Sequence, residues 1–296
     1  MKLKEKKNRQ TETKGNFFLY EPLSEKDFQK LSELIQSHIG IRMPETKKIM
    51  LESRLHKRLR ALSLQDFPSY CEYLFSDHGF DKELPYLFDV ITTNKTDFFR
   101  EPVHFEYLVE YVLPELLSPP RPKSRRLWFW SAGCSTGEEP YSLAMVLQDF
   151  KERVAEFDFG IHATDISTQV LETAGTAIYN QDKADPIPIT LKKKYLLRSK
   201  EKSRKLVRIA PEIRSLVQFS RLNLMDRSYA TIPEMDIIFC RNVIIYFDRP
   251  TQEMLIRNFY RYLRVGGYLF LGHSETLCGI SIPLVTVLPT VYKKTG

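Results

Sequence analysis

The run Leu127-Trp128-Phe129-Trp130-Ser131-Ala132-Gly133-Cys134-Ser135-Thr136-Gly137-Glu138-Glu139-Pro140-Tyr141-Ser142 restricts the fold more than any other stretch of the chain. Its apolar, aromatic start reads as a buried strand that breaks off into small residues. Glu138, Glu139 and Pro140 then open a helix whose apolar positions include Leu143, Ala144, Val146 and Leu147. Carboxylates and a proline suit the first turn of a helix, where N–H groups lack partners and the dipole end is positive. A buried strand, a glycine turn and a helix in succession open a nucleotide-type site, because backbone approaches a ligand closely only where side chains are missing. An ordinary tight turn reads equally well at this point. The dinucleotide spacing G-x-G-x-x-G is not met, since three residues separate Gly133 from Gly137. No Gly-Lys-Ser/Thr follows either, which excludes a P-loop.

Further along, Phe157 to Thr164 reads as a second strand ending in Asp165, and a helix from near Ser167 to about Ala177 completes a βαβ unit. A carboxylate at the end of that strand can accept hydrogen bonds from ribose hydroxyls, or can cap the following helix. Met235 to Asn242 reads as another buried strand, with the polar Arg241 and Asn242 at the carboxyl end, where ligands of open α/β sheets sit. A helix from about Pro250 to Leu263, stopped by Gly266-Gly267, leads to a strand at Tyr268–Ser274. The apolar alternation around Val285, Val287, Val291 and Tyr292 suggests a terminal hairpin. Between these, Leu206–Ile209 is a short strand candidate in a basic, proline-punctuated stretch.

Upstream, Leu23 to about Val90 has helical periodicity, with Ser24 and Asp27 forming a helix start. One helix there, over 47–60, carries the stripe Leu51, Leu55, Leu59 and Leu62, flanked by Lys47, Arg54, Lys57, Arg58 and Arg60. Such a face is either solvated or a dock for an acidic partner. The segment Ile91 to Pro102, with Thr92, Thr93, Asn94, Thr96, Phe98, Phe99 and Arg100, is either a linker pinned by aromatics or a lid over a site. A helix at 103–117 follows, ended by the breaker Ser118-Pro119-Pro120-Arg121-Pro122.

Composition removes other classes. No apolar run reaches the ~18 residues of a membrane span, and the polar, basic N-terminus lacks the apolar core of a secretory signal. The net charge is +7, and residues 1–16 hold six Lys/Arg against two Glu, so much of the excess belongs to a tail expected to be disordered. Cys71, Cys134, Cys240 and Cys278 lack metal-site spacing, and neither H-E-x-x-H nor H-x-x-E-H occurs, so no metal is expected. His273 has no Ser or Cys partner at a recognised triad spacing. Without aromatics interleaved with Arg as a stacking platform, no nucleic acid is expected.

Taken together, Thr92–Arg100, Trp130–Ser142, Asp165-Ile166-Ser167, Leu222-Asn223-Leu224, Phe239–Asp248 and Gly272-His273-Ser274-Glu275 closely resemble the CheR family of chemotaxis-receptor glutamate O-methyltransferases. The resemblance covers roughly residues 23–296 and implies a cytoplasmic enzyme of α/β class. Its parts would be a tail (1–22), a small all-helical N-terminal domain (23–90), a linker or lid with a helix (91–120), and a Rossmann-like S-adenosylmethionine (SAM) domain (121–296). A small antiparallel β subdomain would be inserted near 195–215. By the same resemblance, Asn94, Thr96, Arg100, Glu139, Asp165, Asn223, Leu224, Arg241 and Asn242 contact the cofactor, whose product is S-adenosylhomocysteine. Arg100 and Tyr246 stand nearest the transferred methyl. The partner implied is the glutamate-bearing helical region of a chemoreceptor, docked on the basic helix 47–60 through Arg54, Lys57 and Arg58. Some family members also bind a receptor's C-terminal peptide through glycines of the β subdomain loop, but Leu197–Leu206 contains no glycine. The rival readings are a SAM methyltransferase acting on RNA or a small molecule, and a non-catalytic SAM-sensing module.

Overall fold

Helical periodicity in the first third of the chain becomes a four-helix unit with its own core. The computed structural model describes residues 21–119, 125–154 and 157–296. The basic tail over 1–20 lies outside the described residues, as do Pro120, Arg121 and Pro122 of the breaker. Helices α1 (Glu25–Ile39), α2 (Lys48–Leu62), α3 (Phe67–Leu74) and α4 (Phe80–Ile91) bury Leu31, Ile35, Leu51, Leu55, Leu59, Tyr70 and Leu87 together. The Ser24 hydroxyl accepts the Asp27 N–H at 3.0 Å, as an N-cap does, and Gly40 ends α1 in the left-handed region at φ 72°. The expected leucine stripe of α2 faces this core, with Leu62 half-buried at its end.

Two cations expected on the docking face of α2 turn inward instead. Arg58 forks onto Glu83 at 2.7 and 2.9 Å, and the Tyr70 hydroxyl donates to the same carboxylate at 3.1 Å. Arg54 donates to the carbonyls of Ile91 and Thr92 and to the Thr93 hydroxyl, covering the exposed end of α4. The reason is local. The C-terminus of α4 presents unpaired carbonyls, and Glu83 is buried and needs a counter-charge.

The helix expected at 103–117 is present but changes its winding. α5 (Val103–Tyr107) passes through a π turn, Leu108–Val112, into α6 (Leu113–Leu117). Pro114 has no N–H to give, so the hydrogen bonding slips by one just before it, with the Leu113 N–H reaching the Leu108 carbonyl.

The remainder builds the expected α/β sheet. In chain order its elements are β1 (Leu127–Ala132), α7 (Glu138–Arg153), β2 (Phe159–Asp165), α8 (Thr168–Thr176), β3 (Ile178–Asn180), α9 (Ile189–Tyr195), β4 (Leu196–Arg198), β5 (Leu206–Ile209), α10 (Pro211–Arg214), β6 (Val217–Arg221), β7 (Met235–Cys240), α11 (Arg249–Tyr262), β8 (Leu263–Leu271), β9 (Leu284–Leu288) and β10 (Val291–Lys294). The main sheet has the order β6-β2-β1-β7-β8-β10-β9, with β10 antiparallel to both neighbours and the β6 to β8 side parallel. Alternate residues face opposite layers: Leu127 and Phe129 join the core that includes α7, and Trp130 and Ala132 the core that includes α11. Chain order reverses at β1, which pairs with β2 on one side and β7 on the other. A parallel sheet opens a crevice at the carboxyl ends of its strands at such a point.

Several boundaries differ from expectation, and the strand expected at Tyr268–Ser274 ends at Leu271. The small antiparallel sheet, of order β3-β5-β4, starts at Ile178 rather than near 195, because Ala177 in the left-handed region turns the chain after α8 back against β5. Its glycine-less loop uses Lys205 for the positive φ, 45°. Gly266 and Gly267 do not stop α11, which ends at Tyr262; both lie inside β8, where its register against β7 shifts. Glycine is required at 267 because a Cβ there would come within 2.7 Å of the Asp236 carbonyl oxygen. The terminal hairpin forms as expected from β9 and β10.

Since Glu83 is buried and Arg58 is its cation, Arg58→Ala should lower unfolding free energy by about 3 kcal/mol, the usual cost of leaving one partner of a buried pair alone. Chemical denaturation monitored by circular dichroism measures it; a loss under about 1 kcal/mol would assign Arg58 to the solvated surface instead.

Candidate functional site

At the reversal point lies a cleft with about 1000 Å³ of empty space, its open mouth included. Its walls bring together residues far apart in sequence. Asn94, Thr96 and Arg100 come from the segment after α4. Glu139 comes from the first turn of α7, Asp165 from the end of β2, and Asn223 and Leu224 from the loop after β6. Arg241, Asn242 and Tyr246 come from the loop after β7. Every residue that the resemblance implied for the cofactor or the transferred methyl thus lines this one cleft. The helical unit adds Ile39 and Ile41, which sequence reasoning missed. Ile41 bridges to Phe247, and the Arg42 N–H donates to the Tyr246 carbonyl at 3.1 Å.

The loop between β1 and α7 is shaped by backbone constraint. Gly133 (φ 80°) and Gly137 (φ 96°) flank Ser135, itself at φ 50°. A Cβ at Gly133 would meet Val243 at 2.5 Å, so this glycine lets the loops after β1 and β7 touch. The Thr164 carbonyl accepts the N–H groups of Gly133 and Cys134 at 2.8 and 2.9 Å. Asp165 accepts the Ser135 N–H at 2.8 Å on one oxygen and the Ser167 N–H at 3.0 Å on the other. The cap of α8 is Ser167, whose hydroxyl faces the Val170 N–H, so Asp165 is not the cap. Burial raises the Asp165 pKa, and its backbone hydrogen bonds partly offset that. Each of its oxygens keeps acceptor capacity toward the cleft.

Arg241 is the buried cation of the site. It meets Glu101 at 3.2 Å and Glu139 at 3.6 Å, and also donates to the Arg100 carbonyl. Glu139 accepts the Ser131 hydroxyl at 2.7 Å; burial raises its pKa against the pull of Arg241. Burial also works against the Glu101 carboxylate, but Arg241 and the N–H of His273 outweigh it and hold its pKa below the ordinary value. Glu101 is a third residue that sequence reasoning passed over. Its only signal was its place directly after Arg100, where the matched run ends, and its φ of 56° marks a strained backbone there.

The segment 91–102, read as a linker pinned by aromatics or as a lid, lines the cleft through residues 92–97 and Arg100 and is fastened along its length. Ser135 donates to the Asn94 carbonyl at 2.9 Å, and Lys183 to the Thr96 carbonyl at 2.8 Å. The Phe99 N–H reaches the Ser142 hydroxyl at 3.0 Å, and Phe98 is buried edge-on to Tyr179. Arg54 holds the near end and Arg241 the far end. Asn223 plays a similar part: its amide donates to the His38 carbonyl at 2.7 Å, and its oxygen accepts the Met225 N–H at 3.0 Å. Among the described residues, Glu101, His104 and His273 also bring three ligand-type atoms within 4.8 Å of one another. The Arg241 guanidinium already neutralises that carboxylate, so the cluster reads as an ion-pair network.

Comparison with known proteins agrees with this geometry. The family described as "CheR methyltransferase, SAM binding domain" matches residues 94–288, and "CheR methyltransferase, all-alpha domain" matches 26–92. The chemotaxis protein methyltransferase of Borreliella burgdorferi is 38% identical over 92% of this chain and 95% of its own length. That of Klebsiella aerogenes is 39% identical over 92% and 90%, and that of Escherichia coli 37% identical over 91% of each chain.

The buried His104 beneath Glu101 gives a pH signature. Burial, then the nearby Arg241 cation, pushes its pKa down to about 4 from 6.5. Between those values the unfolded chain binds more protons than the folded one, so stability is full above about pH 6.5 and falls as pH drops toward 4. The loss should be on the order of 3 kcal/mol. A series of Tm against pH should show it in the wild type and a shallower slope in His104→Gln; equal slopes would refute the assignment.

Proposed function

Because this chain belongs to the CheR methyltransferase family, we propose that it esterifies glutamate side chains of chemoreceptors in the cytoplasm, with residues 23–90 as docking unit, 91–120 as cover and 121–296 as catalytic unit. Its activity is SAM-dependent methyl transfer in chemotaxis. When bound, SAM supplies a methyl group on a positively charged sulfur and leaves as S-adenosylhomocysteine.

The donor set suits that ligand. The Asp165 carboxylate can accept from both ribose hydroxyls, and Ile166, Leu222 and Leu224 offer apolar surface to a flat base. Glu139 and the Arg241-linked loop offer an acid and donors for an amino-acid end. Asn94 and Thr96 on the cover, with Asn223 and Asn242 on the sheet side, complete the contacts we assign. A pyrophosphate needs the backbone nest of a dinucleotide loop; a sulfonium nucleoside does not, which gives the missing G-x-G-x-x-G a reason.

The reacting group needs no base. A glutamate with a pKa of ~4.3 is ionised at neutral pH and attacks as it stands. What the protein must supply is alignment and exclusion of water, and alignment alone can account for several kcal/mol of a barrier. In this reading Arg100 orients the incoming carboxylate and Tyr246 holds it or the methyl by hydrogen bonding. Arg100 must steer rather than clamp, since a tight ion pair would blunt the nucleophile. The cover tied down by Ser135, Ser142, Lys183 and Arg241 keeps the cleft dry. The observation that carries the reading is the convergence of Asp165, Glu139, Arg241, Arg100 and Tyr246 on one cleft.

For the receptor, we assign the outer face of α2. Lys57 and Arg60 are exposed there, whereas Arg54 and Arg58 act through the helical unit and the cover. The glycine-less β4–β5 loop gives no ground for assigning a receptor-peptide tether.

Methyl label from SAM should appear on receptor glutamates and be released by mild base, as carboxyl esters are; label on RNA or a small molecule, or none, would refute the reading. Arg100→Ala and Tyr246→Phe should each lower turnover at least tenfold, and unchanged turnover in both would remove them from the reaction. Lys57→Glu should weaken receptor methylation most at low salt while SAM affinity holds. Arg54→Glu should reduce both, because it also releases the cover.

A further inference from the structure

The loop after β7, which brings Arg241, Asn242 and Tyr246 to the cleft, is gripped by a residue from a different part of the chain. Asn242 sits at φ 58°, a left-handed conformation that asparagine tolerates better than most residues and that its surroundings impose here. What imposes it is one buried carboxylate from a different part of the chain. Glu275 is 3% exposed. One of its oxygens accepts the N–H groups of Asn242 (2.8 Å) and Gly272 (2.6 Å), and the other those of Val243 (2.8 Å) and Ile245 (3.3 Å). Backbone N–H groups converging in this way form an anion-binding concavity, here filled by a side chain of the same molecule. Gly272 makes the fit possible, because a Cβ there would come within 2.6 Å of the Asn242 amide nitrogen and 2.8 Å of its backbone nitrogen. Burial raises the Glu275 pKa, and the four N–H groups work against that rise.

We propose that Glu275 is a positioning residue for methyl transfer: its carboxylate, seated against Gly272, moulds the 241–246 loop so that Asn242 and Tyr246 face the cleft. The inference rests on the reading of that cleft as the methyl-transfer site. Glutamine at 275 keeps the volume but turns one acceptor into a donor that faces N–H groups. Its loss therefore releases the loop, while the strands beneath keep their own ladders.

The test uses the full chain with SAM and receptor. Glu275→Gln should fold with the circular dichroism of the wild type and lose hydrogen-exchange protection at the amides of Asn242, Val243 and Ile245. SAM Kd should rise at least tenfold and kcat fall at least tenfold, with KM for receptor within about threefold. Gly272→Ala keeps the carboxylate and crowds the loop, so it should move the same readouts in the same direction; Glu275→Asp should recover part of the loss. Retained protection with Kd and kcat within twofold of the wild type would overturn the proposal. So would protection lost evenly across the sheet with Kd and kcat of the folded fraction unchanged, since that is global stability alone. If the wild type methylated no receptor glutamate, the reading of the site would fall, while exchange and SAM affinity would still decide what Glu275 positions.

Discussion

A guanidinium buried between two carboxylates holds this site together. Arg241 reaches Glu101 in the cover and Glu139 at the start of α7, and takes the carbonyl of Arg100 besides. Each of these groups alone would be costly to bury; as a set they neutralise one another. Buried ion pairs of this kind are weak evidence for stability, because the attraction mostly offsets the loss of water. Their value here is geometric. Three separate pieces of backbone, 100–101, 139 and 241, can stand at the positions they occupy only if all three are present.

The helical unit enters the same arrangement rather than standing beside it. The amide of Asn223 donates to the His38 carbonyl, Ile41 pairs with Phe247, and Arg54 reaches across to 91–93. A helix whose charges looked outward-facing in a wheel projection is thus in part an internal brace. Lys57 and Arg60 of the same helix stay exposed.

Local chemistry made much of this legible. The strand, glycine turn and helix at 127–142 were readable because hydrophobic burial, dihedral freedom and helix-end charge all act within a few residues. Asp165 was readable because the apolar run of its strand closes on a carboxylate in a βαβ unit. What stayed hidden depends on contacts between distant segments. Nothing within 47–60 says that Arg58 faces Glu83, and nothing at 39–41 marks a cleft wall. Gly266-Gly267 looked like a helix stop because glycine signals a break; the need it serves, close approach to the Asp236 carbonyl, belongs to a neighbouring strand. The early start of the small sheet was hidden likewise, since Ile178–Asn180 becomes a strand only through its pairing with β5.

The seam where Ile41 meets Phe247 has an evolutionary consequence. The helical unit has its own core and the sheet has two more, so each satisfies the ordinary definition of a domain. Yet the cleft takes part of its wall from Ile39 and Ile41 and part of its fastening from Arg54. A line drawn near residue 92 therefore separates two hydrophobic cores without separating two functions. Shuffling such units between related chains would carry over their folds and leave behind the match across the seam. The two must be inherited, and must drift, as a pair.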